Sequence, residues 1–388
     1  MSSGGGAPAP PRRVCFFGTY ARDYTVTALL MQACRAAGIA IVECHRPLWE
    51  ETRHKEAAYF APRSIVRLLR QYIAHAGALV RQRRAVGPVL AYVVGFNGQL
   101  DCLLLRAVLR RQPTPIVFAP LITLTETLVD DRAVFRPHSL WGVATRILDR
   151  LTLSAASHVL IDTAAHRQYL IDTFGVAPGR VSVWHLGADT RVFTARPPET
   201  HDGPLRVLFY GSFLPLHGVR TVIDAAALLQ DDINVEFVLV GDGPDHAACV
   251  AAARAAGLTR LHFRPWVPYD DLGNEVARAD ICLGGFGAGV KTRIVIPNKV
   301  YQAAAVGRPV ITADTPAMRE IFTHGETVWL CASNDPTALA TAIRTLGGDV
   351  ELRARLGRQA ATLLAERFSA ATQGERLAAI FAEATRLR

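Results

Sequence analysis

The chain has 388 residues, half of them hydrophobic, and a formal charge of +9. That length is too great for one typical domain, so two domains of about 150–200 residues are expected. Seven scattered cysteines without a CxxC pair exclude a disulfide scaffold and a zinc-binding spacing, and suit a reducing compartment.

The opening MSSGGGAPAPPRR reads as a flexible tail over residues 1–11, without the apolar core of a signal peptide. No apolar run approaches the roughly 18 residues of a membrane span. Val14–Phe17 is a short apolar strand ending at Gly18, followed by a helix over 24–37 and a second strand over 39–43. Strand, loop, helix and strand in this order are the grammar of a parallel sheet. Further strands are expected at 89–94, 116–118, 159–161 and 181–184, as the continuous apolar runs of strands buried on both faces. The stretch Ala195–Pro204, ARPPETHDGP, has the composition of a linker. The grammar then restarts: strand 205–210, helix 219–229, and strands at 235–240, 261–263, 281–283 and 309–312. The expected fold is α/β, with two doubly wound parallel-sheet domains facing across a cleft. They occupy residues 12–194 and 205–366, and a last helix over 367–388 returns to the first domain. Ligands of such sheets bind beyond the carboxyl ends of the strands. The loops at Gly18, Gly211, Gly241 and Phe286 are therefore the first places to look.

No dinucleotide fingerprint and no GxxxxGK[ST] phosphate loop is present. The segment Gly284–Glu320 carries the strongest chemistry. Its glycines follow a strand and free backbone amides for a ligand. Lys291 and Arg293 follow, and Pro297-Asn298 start a helix with Lys299 in its first turn and Gln302 three residues on. A cation beside free helical N–H groups suits a diphosphate. Of 43 basic residues only Lys55, Lys291 and Lys299 are lysines, so two in one segment point to a specific role. A solvated basic turn is the alternative. Asp101, just beyond the strand 89–94, either faces the cleft as a catalytic carboxylate or starts a helix.

Five stretches in order, LRVLFYGSFLPLHGVRTVIDAA, VEFVLVGDGPD, LHFRPWVPYDDL, ARADICLGGFG and GRPVITADTPAMREI, resemble family 4 of the retaining glycosyltransferases, which have the GT-B fold. RVCFFGTYARDYTVTALLMQACRAAGI and VLIDTAAHRQYLIDTFG followed by VSVWHLGADTRVF extend the likeness into the first half. The resemblance implies a nucleotide-sugar donor in the second domain and a glycan or lipid-linked acceptor in the first. It implies that the loop at Gly18 approaches the diphosphate, that Phe286 and Gly287 offer amides to sugar hydroxyls, and that Trp266 and Val267 lie by the base. Gly241, Lys291, Arg293, Lys299 and Gln302 complete the expected donor site, with Asp101, Lys291 and Lys299 as catalytic candidates. The sequence departs from the family where an arginine and a lysine are common: Ser212 and His217 stand there. Of two glutamates separated by seven residues, the first falls at Ile294 and the second at Gln302, whose amide oxygen still accepts hydrogen bonds.

The expected reaction is retaining transfer of a sugar from a nucleoside diphosphate to a hydroxyl, in the cytoplasm, with no metal or cofactor and no nucleic acid. A nucleotide-sugar epimerase and a catalytically silent binding or scaffold protein are the alternatives. The segment Ala61–Gly87 adds a membrane expectation. Arg63, Arg67, Arg70, Arg81, Arg83 and Arg84 flank an apolar stripe of Ile65, Leu68, Leu69, Tyr72 and Ile73, with no acidic residue. That pattern suits the inner, anionic face of a membrane; packing on the sheet is the alternative, and Gly77 is a point at which the helix could divide.

Overall fold

The computed structural model describes residues 12–22, 24–48, 62–199, 201–232 and 234–386, with no side chains described over 62–66. The tail 1–11, Lys55 and the Arg63 and Ile65 side chains lie outside the described residues. The first half runs β1 (Arg13–Gly18), α1 (Thr25–Ala36), β2 (Ala40–His45), α2 (Pro62–Arg84), β3 (Tyr92–Val94), α3 (Gln99–Val108), β4 (Ile116–Phe118), α4 (Leu140–Ala155), β5 (His158–Ile161), α5 (Ala164–Phe174) and β6 (Val181–Val183). The second runs β7 (Leu205–Tyr210), α6 (Val219–Ala227), β8 (Val235–Val240), α7 (His246–Ala255), β9 (Leu261–Arg264), α8 (Tyr269–Ala277), β10 (Ile281–Leu283), α9 (Val290–Ile294), α10 (Asn298–Val306), β11 (Val310–Ala313), α11 (Pro316–Arg319), β12 (Trp329–Cys331), α12 (Pro336–Gly348), α13 (Val350–Arg367) and α14 (Ala370–Arg386).

The strands form two six-stranded sheets, β2-β1-β3-β4-β5-β6 and β12-β11-β10-β7-β8-β9. Every described pairing is parallel, from Arg13↔Ala40 and Cys15↔Tyr92 in the first sheet to Leu205↔Val235 and Ile281↔Val207 in the second. The central strands are wholly buried, as helices on both faces require. Helix starts follow local chemistry. Ser139, Thr163 and Thr315 accept the backbone N–H three residues on, from Gly142, His166 and Met318.

One face of the first sheet carries α2, α3, α4 and α5, through Leu79, Leu105, Leu153 and Leu170. The other carries α1 and α14, through Leu30, Leu377 and Phe381. Gly374 makes the close approach: a Cβ there would lie 2.6 Å from the Ala33 carbonyl oxygen. The Gln373 amide donates to the carbonyls of His185 (2.6 Å) and Leu186 (3.1 Å) and fixes this end of the chain on the first half.

Two local expectations are corrected. Gly77 does not divide the helix: α2 is continuous over 23 residues, since an interior glycine weakens a helix by only about 1 kcal/mol. The three-residue strand β12 was not expected; its run is too short to stand out, and its pairing with β11 makes it a strand.

Candidate active site in the cleft between the sheets

A cavity of about 520 Å3 opens at the carboxyl ends of both sheets. It brings together Ser212, His217, Trp266, Lys291, Lys299 and Gln302 from the second half. Tyr24, Thr25, Asn97, Thr127 and Asp162 face them from the first.

Lys299 sits at the start of α10, and its ammonium is buried with no hydrogen-bond partner. It lies 3.8 Å from the centroid of the Phe209 ring. Burial holds its pKa well below that of an ordinary lysine. Room for it comes from Gly211, where φ is +133° and a Cβ would stand 3.1 Å from Nζ. His217 is next to it. Its Nδ1 donates to the Ser212 carbonyl, so in the neutral ring Nε2 keeps a lone pair. Burial and then the Lys299 charge keep that ring neutral, with its pKa well below the usual histidine value.

Lys291 is also buried, but it is satisfied. Its Nζ donates to Thr127 Oγ1 (3.3 Å) and lies 3.8 Å from Glu126 Oε1. Glu126 is fully buried in a π-helical segment, Glu126–Asp131. Its Oε2 contacts His166 Nε2 at 3.0 Å, and His166 Nδ1 contacts Asp162 Oδ1 at 2.7 Å. Burial alone would keep His166 neutral, but the two carboxylates outweigh it and push its pKa up to about 10. Burial opposes ionisation of Glu126 too, yet His166 and Lys291 hold its carboxyl below the usual range. A charged chain Asp162–His166–Glu126–Lys291 thus joins the two halves beside the cleft. A second junction is Glu320, which accepts from the first amides of α5, Ala164 N (2.7 Å) and Ala165 N (2.8 Å), and contacts His185 Nε2 at 2.9 Å.

Several expected positions are corrected. Asp101 does not line the cleft. It is 1% exposed, and its Oδ2 accepts from the Thr19 amide (2.7 Å) and hydroxyl (3.0 Å), closing the turn after β1. Burial pushes its pKa up to about 6 against those donors. Phe286 and Gly287 have no amides to offer, because these donate to the carbonyls of His217 (3.0 Å) and Leu216 (3.2 Å). Arg293 is exposed and does not border the cavity; two residues along a helix turn it about 200° from Lys291. Ile294 is buried among Leu216 and Val295, and its carbonyl accepts from the Thr163 hydroxyl. Trp266 reaches the cavity, half exposed, whereas Val267 packs against the core. Gly18 and Gly241 do not line it. They end β1 and β8 with φ of +130° and +132°, where Asp101 and the Gly211 carbonyl leave no space for a Cβ.

The sequence reading missed Glu126, Asp162 and His166. One signal was available: Thr123-x-x-Glu126 is a capping box, with Thr123 N donating to Glu126 Oε2 (3.2 Å) and Glu126 N to Thr123 Oγ1 (3.1 Å).

Residues 204–349 match the family model of Glycosyl transferases group 1. D-inositol 3-phosphate glycosyltransferase of Corynebacterium glutamicum is 27% identical over 68% of this chain and 67% of its own length. Alpha-D-kanosaminyltransferase of Streptomyces kanamyceticus is 25% identical over 50% of each chain. The chain spans about half to two thirds of the length of the curated relatives it matches. Among solved structures, Anabaena HepE in complex with UDP and glucose superposes with a TM-score of 0.67 at 16% identity, over 95% of this chain and 99% of that one. Sucrose-phosphate synthase from Thermosynechococcus elongatus superposes with a TM-score of 0.70 at 15% identity, over 95% and 98%. Residues 204–349 thus resemble a group 1 glycosyltransferase domain, and the two parallel sheets with the cleft between them have the GT-B fold of these solved structures.

Proposed function

We propose that the protein transfers a sugar, with retained configuration, from a nucleoside diphosphate to a hydroxyl of a glycan or lipid-linked acceptor. The observation that carries this reading is the Lys299 ammonium, buried in the cleft and without a hydrogen-bond partner. A buried charge without a partner is unfavourable on its own, and an arriving diphosphate would supply the partner. Asn298 and Lys299, the first turn of α10, line the same cavity, and a helix N-terminus favours an anion. As the diphosphate leaves, negative charge grows on it, and a fixed cation in a water-poor cleft stabilises that charge most. Ser212 and His217 bring no fixed positive charge to this turn, so Lys299 carries the neutralisation there. Lys291 supports it through Glu126 and Thr127, and Gln302 offers its amide to ribose or sugar hydroxyls. The exposed Trp266 gives the base a surface to stack on. The similarity to HepE, solved with UDP and glucose, supports the donor class; the cytoplasmic face of a membrane is the setting that a lipid-linked acceptor would require.

The test is calorimetry with UDP, GDP and ADP, then product analysis of the matching nucleotide-sugars with lipid-linked acceptors. The reading requires binding of at least one diphosphate and transfer to a hydroxyl. No binding by any of them would overturn it. A second reading, a silent nucleotide-sugar-binding protein, is favoured by the engaged amides of Phe286 and Gly287 and the apolar Ile294. It requires binding without turnover over a broad acceptor panel.

A further inference from the structure

Among the described residues no helix is long and apolar enough to cross a membrane. A different apolar feature lies on the outer side of the first half. Helices α2, α3 and α4 pack side by side on one face of the first sheet, so their outer sides form one surface. On α4 much of the usual polarity is inverted. Thr145, Asp149 and Thr152 face inward, with Asp149 accepting from Leu124 N (3.1 Å) and from Thr125 N and Oγ1 (both 2.7 Å). Leu140 (81% exposed), Trp141 (63%), Ile147 (53%) and Leu151 (55%) face outward. Positions 140, 144, 147 and 151 fall on one helical stripe, and Ala144 among them is exposed as well. Leu69 and Ile73 on α2 are also exposed.

The charge on this surface has one sign. Arg67, Arg70, Arg81 and Arg84 on α2, Arg106 on α3, and Arg146 and Arg150 on α4 are exposed. The only carboxylates on the three helices, Asp101 and Asp149, are buried. A second copy of the chain seated here would set arginine against arginine, whereas an anionic phospholipid surface complements both the arginines and the apolar stripe. The crossover helices begin at the carboxyl ends of the strands, where the cleft opens. Trp141, stacked on Phe135 at 6.2 Å, stands at that end of α4.

We propose that this surface docks the protein on an anionic bilayer, with Leu140, Trp141, Ile147 and Leu151 at the headgroup–acyl boundary and the flanking arginines on lipid phosphates. The docking moves the weight from α2, where the sequence reading put it, to α4. Its purpose, presenting the cleft to a lipid-linked acceptor, rests on the proposed transfer; the docking itself is tested without it.

Flotation of the full chain with phosphatidylcholine vesicles, with and without phosphatidylglycerol, is the experiment, alongside calorimetry of nucleotide binding. The protein floats with the anionic vesicles only, and less at high salt. The double variants Trp141→Ser/Ile147→Ser and Arg146→Gln/Arg150→Gln each lower this partition by about tenfold or more, with nucleotide affinity unchanged as proof of an intact fold. Three results overturn the docking: no flotation of protein that circular dichroism and a cooperative melt show to be folded, flotation untouched by both α4 variants, or a dimer in sedimentation that Trp141→Ser dissolves while vesicles are ignored. Flotation without sugar transfer supports the docking and counts against the proposed activity, so the two failures are distinct.

Discussion

The turns after β1 and β7 use the same backbone device and opposite charges. Each begins at a glycine, Gly18 or Gly211, with φ of +130° or +133°. Beside Gly18 lies a carboxylate, with Asp101 Oδ2 only 2.4 Å from where a Cβ would be; beside Gly211 lies an ammonium, Lys299 Nζ, at 3.1 Å. The carboxylate oxygen is answered by two donors on Thr19, and Tyr72 lies beside Asp101. The ammonium has no hydrogen-bond partner. One turn is thus closed by the protein itself, and in the other the protein supplies no hydrogen-bond partner for the charge. Equal folds do not make equal sites; the difference lies in whether the protein satisfies the charge it buries.

The strongest way to sharpen that comparison is to break a charge the protein does satisfy. Glu126→Ala strips His166 and Lys291 of their shared partner, and loss of one member of a buried charged network costs about 3–5 kcal/mol. Urea unfolding should show that loss, whereas the proposed open site behaves in the opposite way. Lys299→Met removes an unanswered charge, so thermal stability should hold or rise. Donor nucleotide affinity should fall about 30- to 150-fold, the roughly 2–3 kcal/mol of a charge-assisted contact. A destabilised Lys299→Met that still binds normally would break the comparison.

The two glycines give a middle-sized effect. Gly18→Ala drives a Cβ into the packed Asp101 carboxylate at a strained φ, and about 2–3 kcal/mol of stability should go. At Gly211 the neighbour is the end of a lysine side chain, which can move. Gly211→Ala should cost less, about 1–2 kcal/mol, for the strained φ alone, and should show itself chiefly as weaker nucleotide binding. Equal loss of stability in both, with binding intact, would show that Lys299 is not placed by Gly211. Gln302→Leu strands a polar partner in the donor complex and should reduce turnover about tenfold, while Gln302→Glu stays closer to wild type; full activity in Gln302→Leu would make the position plain packing.

The remaining tests vary pH. The folded pKa of His166 is raised from 6.5 to about 10. Its stabilising contribution is therefore complete below pH 6.5 and is lost as pH rises through 10. Wild-type Tm should fall over that window, and His166→Asn should flatten the fall. For Lys299 the shift is downward. In the proposed site nucleotide binding needs its proton, so affinity should weaken as pH rises past the lowered pKa, with proton uptake visible as a buffer-dependent binding enthalpy.

Much of the fold was legible because buried parallel strands leave a clear mark: LRVLFY and VEFVLV are apolar but for Arg206 and Glu236 near their starts, and each is followed by a glycine. Lys299 and Gln302 could be placed in the cleft because a helix start after Pro297 fixes their direction. The polar network was harder to read, since Glu126, Lys291 and the pair Asp162–His166, four residues apart, come from three separate segments, and only Thr123-x-x-Glu126 and that pair have a local spacing. The misplacements share a cause. Whether an amide is free, as for Phe286 and Gly287, or a carboxylate faces the cleft, as for Asp101, depends on what another loop donates or accepts, and spacing along the chain does not record it.

In the proposed site a diphosphate answers the buried Lys299 ammonium. Calorimetric titration of wild-type protein and Lys299→Ala with UDP, GDP and ADP decides whether it does. At least one nucleotide should bind the wild type, the variant should bind it about 30- to 150-fold more weakly, and the variant should melt no lower than the wild type. Equal dissociation constants in the two proteins would contradict it.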